Sequence, residues 1–169
     1  MFRKVVIIII VAFLAVPAFA QPVLKIGSSP PSFTLSNLKG EIIYLDRYLG
    51  NNIILLSFFA SWSKSCREEI LFLKELDDQY RKKGLKIIAI SFDRKLEKLQ
   101  SLVDTHDLKF DVLHDKKLTT LKDFRILIIP TLFVIDGEGK IKSIYVDFDE
   151  NVEKALSKEI QMLLAPPKK

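Results

Sequence analysis

Two nearly unbroken apolar runs set the frame of this chain. Ile53–Phe59 and Leu85–Phe92 are hydrophobic at almost every position, the pattern of strands covered on both faces of a parallel sheet. Between them the period changes. From Ser65 to about Lys82, Ile70, Leu73, Leu76 and Tyr80 recur at helical spacing, and Phe72 widens the stripe. That stretch predicts an amphipathic helix, with Glu68 and Glu69 in its first turn, where acids suit the positive end of the dipole. Gly84 is its predicted stop. Lys95 to His106 predicts a second helix, with Leu96, Leu99, Leu102 and Val103 on one side. Phe110–Leu113 reads as a short extended piece and Lys116–Phe124 as a short helix.

The last third has a different order. Leu132–Ile135 predicts a strand, Asp136-Gly137-Glu138-Gly139 a hairpin turn, and Ile141–Val146 the strand that pairs back. Asn151–Leu164 predicts a closing helix with Val152, Leu156, Ile160 and Leu163 as its stripe. Ahead of the first run, Lys25 to Leu35 is irregular and proline-bearing, and Asn37–Glu41 carries turn chemistry before an extended Ile42–Leu45. The order is strand–helix–strand–helix, then helix–hairpin–helix. It predicts an α/β sandwich with a mixed sheet.

The totals add a compartment. With 169 residues, 49% of them hydrophobic, the chain has enough material for one globular core. Its first residues stand apart: Arg3 and Lys4 are basic, Val5–Val16 is apolar, and Ala18-Phe19-Ala20 is a small-x-small cleavage pattern before Gln21. This reads as a secretory signal peptide. A helix over Val5–Val16 would be about 18 Å long, short of the roughly 30 Å of a bilayer core. An uncleaved signal anchor is the alternative. The expected division is a signal peptide over residues 1–20, one domain over 21–166 and a disordered tail over 167–169. The chain is then periplasmic or otherwise exported. Without Arg3 and Lys4 the net charge falls from +5 to +3, too weak and scattered to argue nucleic-acid binding. His106 and His114 have no second ligand at metal spacing, so no metal is expected.

A single cysteine, Cys66, is an awkward count for an exported protein, where thiols are usually paired. It follows a buried strand and a short polar turn, at the start of a predicted helix. Lys64, Arg67 and the helix dipole there favour a thiolate, while burial opposes it. Cys66 is therefore either reactive or an inert structural thiol.

The segment Phe58-Phe59-Ala60-Ser61-Trp62-Ser63-Lys64-Ser65-Cys66-Arg67-Glu68-Glu69 resembles the active-site segment of the TlpA/ResA-type proteins of the AhpC/TSA-redoxin superfamily. Those proteins carry Phe-Trp-Ala-x-Trp-Cys-x-x-Cys-Arg-x-Glu. Phe58, Ala60, Trp62, Cys66, Arg67 and Glu69 match, and Ser63 stands where the first cysteine is expected. The resemblance runs from about Gly27 to Leu163. It implies a thioredoxin fold, with a mixed central sheet flanked by helices and an N-terminal β-hairpin extension. It also implies thiol chemistry without a cofactor. Ile129-Pro130-Thr131 resembles the family's cis-proline loop, which faces the active-site turn. Cys66 and Ser63 are the expected catalytic pair, and Trp62, Ile129, Pro130 and Thr131 the expected substrate-binding residues. Trp62 is expected to pack beside the turn. Asp93, after the second core strand, is expected to be a solvated loop acid.

Ser63 changes the chemistry. A hydroxyl cannot form a disulfide and is a poor nucleophile without a base. Exchange with internal resolution therefore has no first thiol. One reading is a monothiol protein using Cys66 in disulfide or peroxide chemistry. Ser63-x-x-Cys66 also resembles the peroxiredoxin hydroxyl-x-x-Cys turn, although Phe59 replaces that family's upstream proline. The other reading is a non-catalytic binding module for exported or envelope proteins. The expected partners are exported protein thiols or disulfides, with a membrane-bound reductant as a further candidate. The membrane itself is a partner only if the signal is uncleaved.

Overall fold

The computed structural model describes residues 24–165. The proposed signal peptide and the tail lie outside them. The elements run β1 (Thr34–Ser36), β2 (Ile42–Tyr44), β3 (Ile53–Phe59), α1 (Lys64–Tyr80), β4 (Leu85–Ser91) and α2 (Leu96–His106). They continue with β5 (Asp111–His114), α3 (Thr119–Asp123), β6 (Thr131–Ile135), β7 (Ile141–Val146) and α4 (Glu150–Leu163). β1 and β2 form a hairpin of their own. The main sheet has the order β5-β4-β3-β6-β7. β3, β4 and β5 run parallel, while β6 and β7 are antiparallel to their neighbours. This is the thioredoxin fold with an N-terminal hairpin.

β3 is the central strand and all of it is buried. Alternation divides its side chains between two cores. Ile53, Leu55 and Phe59 pack with Ile70 and Leu73 of α1, Leu99 of α2, and Leu156 and Ile160 of α4. Ile54, Leu56 and Phe58 pack on the other face with Phe33, Ile43, Phe124 and Phe133. There the Phe58 ring meets Phe124 at 4.9 Å and Phe133 at 5.7 Å between centroids. Ser57 shares the α1 face by the same alternation. A polar residue there needs a polar partner on α1, and it has one.

Two elements differ from their sequence pattern, and the predicted hairpin turn shows why its glycine is needed. α1 begins at Lys64, ends at Tyr80 and closes through a tight turn over Arg81–Lys83. Its first turn holds no acid. Glu68 pairs on the surface with Lys64 at 3.2 Å, and Glu69 is turned into the core. The helix predicted from Lys116 starts only at Thr119. Asp115 causes the delay: its carbonyl accepts from Leu118 N and its carboxylate from Thr120 N and Oγ1, so Lys116–Leu118 form a turn instead. In the β6–β7 hairpin, Gly139 takes φ +75° with Leu49 Cβ 3.2 Å from where its own Cβ would stand. Both facts require glycine there.

Candidate functional site

The site is built at the C-terminal end of β3. Ala60 to Ser63 turn the chain, and Ser63 caps α1: its backbone is extended and its Oγ accepts from Cys66 N at 3.4 Å. Serine is a preferred residue at that position because its hydroxyl satisfies a helix N–H that has no partner within the helix. The residue standing where a nucleophilic sulfur is expected therefore acts as a cap. Ser63 N also donates to Ala60 O, and Arg67 N to Ser63 O.

Cys66 points inward from the first turn of α1 and is fully buried against the α1-facing core. Burial pushes its thiol above the ordinary value. Hydrogen bonds from the Ser63 side chain and the Ala60 backbone oppose the rise, and the charges of Glu69 and Asp147 add to it. The balance left open by the sequence thus falls to burial, and the neutral thiol is favoured.

One turn further along α1, Glu69 is also fully buried. Its Oε1 accepts from Ser57 Oγ at 2.5 Å, and its Oε2 has no hydrogen-bond partner. Burial pushes its carboxyl up to about 7, against the Ser57 hydrogen bond. A buried carboxyl raised in this way, one turn from a buried thiol, is a candidate proton acceptor. The sequence reads Glu69 as a first-turn acid, because its partner Ser57 stands on another element.

Two further segments close around the turn. The Ile129–Pro130 peptide bond is cis. Pro130 O accepts from Asp147 N at 2.8 Å, and Thr131 Oγ1 donates to Ile128 O at 2.7 Å. Thr131 is opposite Phe58 in the β3–β6 register, which brings this loop beside the β3 end. Asp147 has φ +65° and accepts at Oδ1 from Ser65 Oγ at 2.6 Å and from Phe148 N at 2.8 Å. It ties the β7–α4 connection to the first turn of α1. The Ser65 hydrogen bond, ahead of that from Phe148 N, lowers its carboxyl below the usual range.

Asp93 is not the solvated loop acid expected. It is buried, with Oδ2 accepting from Ser61 N at 2.8 Å and Ser91 Oγ at 2.7 Å, and Oδ1 from Ser61 Oγ at 2.8 Å. Its carbonyl oxygen lies 2.7 Å from His114 Nε2. Arg67 Nη1 donates to Ser61 O at 2.9 Å. Ser61 is thereby held through its N–H, its hydroxyl and its carbonyl. Ser61 lies 32 residues from Asp93 in the chain, so only the local Ser91-x-Asp93 pattern hinted at its engagement.

The expected binding residues fall in different places. Trp62 does not pack beside the turn; it is 66% exposed. It lines a groove of about 610 Å³ together with Phe92, Leu121, Ile126, Leu127 and Ile129. Pro130 is buried and lines neither this groove nor the hollow beside it. Thr131 lines a neighbouring apolar hollow with Leu127, Ile128 and Val146. Among the described residues, no group of three or more His, Cys, Asp or Glu side chains is placed to hold a metal ion. The arrangement offers one thiol, one nearby carboxyl and an open apolar surface, with no second cysteine.

Comparison with known proteins places this site in a family. Residues 26–144 match the AhpC/TSA family. The chain is 34% identical over 118 residues to the thiol-disulfide oxidoreductase ResA of Bacillus thuringiensis subsp. konkukian, covering 70% of this chain and 68% of that protein. It is 33% identical over 123 residues to the thioredoxin-like protein YneN of Bacillus subtilis, covering 71% of each. Among solved structures it is similar to a provisionally named thiol:disulfide interchange protein DsbE of Chlorobium tepidum. The TM-score is 0.79 at 26% identity, over 85% of this chain and 100% of that one. The chain therefore belongs to the AhpC/TSA family, among its thioredoxin-like thiol-disulfide oxidoreductases of the ResA type.

Proposed function

We propose that this chain is an exported docking protein of the ResA type, which binds proteins bearing thiols or disulfides at the face around Trp62 and the Ile129-Pro130-Thr131 loop. It does so without dithiol exchange of its own. One observation carries the reading: the only thiol is fully buried, beside a serine hydroxyl that caps the helix where the attacking sulfur would stand. Export rests on residues 1–20 being a cleaved signal peptide and residues 21–166 the functional domain. Among the described residues, no helix is long and apolar enough to cross a membrane. The test is multiple-turnover insulin reduction together with thiol labelling of the native chain. The expected result is no reduction above the reductant blank, and labelling far slower than that of a free cysteine. Turnover by the native chain refutes the reading.

Glu69 favours a second reading. With a carboxyl near pH 7 to take its proton, Cys66 would act as a monothiol when the turn opens. Its sulfur would bond to one sulfur of a partner disulfide while the other leaves as a thiol, carrying the proton. A membrane-bound or soluble thiol would then resolve the mixed disulfide. Mixed disulfides on Cys66, trapped in cells and absent in Cys66→Ser, would favour this reading over simple docking.

A further inference from the structure

The groove beside Trp62 carries a charge pattern that docking alone does not require. Its floor is apolar, and Leu127 on its rim is 94% exposed. Along the edge formed by the β4–α2 connection and the start of α2 stand Arg94, Lys95 and Lys98, all exposed. Among the described residues none of the three forms an ion pair. The one carboxylate lining the groove is Asp93, which is buried and committed at both oxygens to Ser61 and Ser91. Glu97 faces the adjoining surface with Arg67 and Lys98. The groove is thus an apolar trough with an unbalanced cationic rim.

We infer that this groove takes an extended protein segment in which apolar side chains alternate with aspartate or glutamate. The inference rests on the docking reading and names the kind of partner. In an extended chain successive side chains point to opposite sides. Apolar ones then seat on Phe92, Leu121 and Ile129, and the acids between them reach Arg94, Lys95 and Lys98. A flat anionic bilayer fits a concave trough poorly. A strand of bases wants successive exposed aromatic platforms; here Trp62 is exposed, Phe92 is half-buried and the other apolar side chains lining the groove are aliphatic.

Trp62 is the only tryptophan in the chain, so its fluorescence reports occupancy of this groove directly. The intact chain is titrated with a capped synthetic peptide of leucine and valine interleaved with glutamate, and with its glutamine and lysine counterparts. Phosphatidylglycerol vesicles and an oligothymidylate are run in parallel. The glutamate peptide is expected to bind roughly tenfold more tightly than the glutamine peptide at low salt, with the gap closing at high salt. The triple variant Arg94→Gln/Lys95→Gln/Lys98→Gln, all at exposed positions, is expected to bring the glutamate peptide down to the affinity of the glutamine peptide. Equal or tighter binding of the glutamine or lysine peptide overturns the acidic preference and leaves docking standing. Tighter binding of vesicles or oligonucleotide overturns it as well. No response to any peptide overturns both the preference and the docking reading.

Discussion

Ser63 and Cys66 show how one atom decides the chemistry of a site. A sulfur at residue 63 would begin a helix, half-exposed, where the dipole lowers a thiol's pKa. The hydroxyl there keeps the cap and loses the nucleophile. Because the backbone already has the required turn, Ser63→Cys should place two sulfurs within bonding reach without moving the fold. The variant is expected to form an internal disulfide on mild oxidation, seen as a loss of two thiols by mass spectrometry. It is also expected to reduce insulin where the parent does not. Glu69 sits at the same scale with a different signature. Its folded carboxyl is raised to about 7 from the ordinary 4.5, so between those values the unfolded chain binds fewer protons than the folded one. Stability therefore falls as pH rises through that window and levels off above it. The loss is on the order of 3 kcal/mol. Glu69→Gln should flatten the curve of stability against pH between 4.5 and 7, measured by denaturant melts across that range. A variant whose curve still follows the parent's would show that Glu69 is ionised throughout.

At the scale of elements, the site is a turn held by strands that do not belong to it. Asp93 at the end of β4 ties Ser61, and Asp147 after β7 ties Ser65. Asp93→Ala would leave three donors without an acceptor in a buried place, at a cost of about 3 kcal/mol. It should also speed labelling of Cys66, because the turn above the thiol loses its anchor. A variant destabilised to that extent but labelled no faster would mean that the remaining ties, Arg67 to Ser61, Asp147 to Ser65 and the Ser63 cap, hold the turn. β3 and β4 are legible in the sequence because double-sided burial leaves an apolar run that no other element mimics. The hairpins are legible from their glycines and asparagine. The Ser63-x-x-Cys66 pairing is legible too, since a cap and its helix are neighbours in the chain. What the sequence could not show are contacts made across it. Asp93 reads as a surface acid until Ser61 is brought beside it, Glu69 as a dipole partner until Ser57 faces it, and Trp62 as a packing residue until the turn presents it outward. In each case a local preference is overruled by a partner on another element.

For the whole molecule, the decisive quantity is how much of the fold must open before the thiol is reached. Cys66 is covered by β3, α1 and the turn, and its neighbours include the core shared with α2 and α4. If only the turn and the first residues of α1 open, little surface is exposed, and the labelling rate should depend weakly on denaturant. If the thiol is reached only by global unfolding, the logarithm of the labelling rate should rise with denaturant at the slope of the equilibrium melt. The turn is pinned at Ser61, Ser63 and Ser65, and one core runs beneath it, so the global slope is expected for the parent chain. Asp93→Ala should convert it to the shallow one. The experiment also separates the two functional readings. A shallow slope in the parent would mean that the thiol is presented by a local motion, as a monothiol needs. A slope equal to that of unfolding leaves Cys66 as core, and leaves the Trp62 face as the part of this molecule that meets a partner.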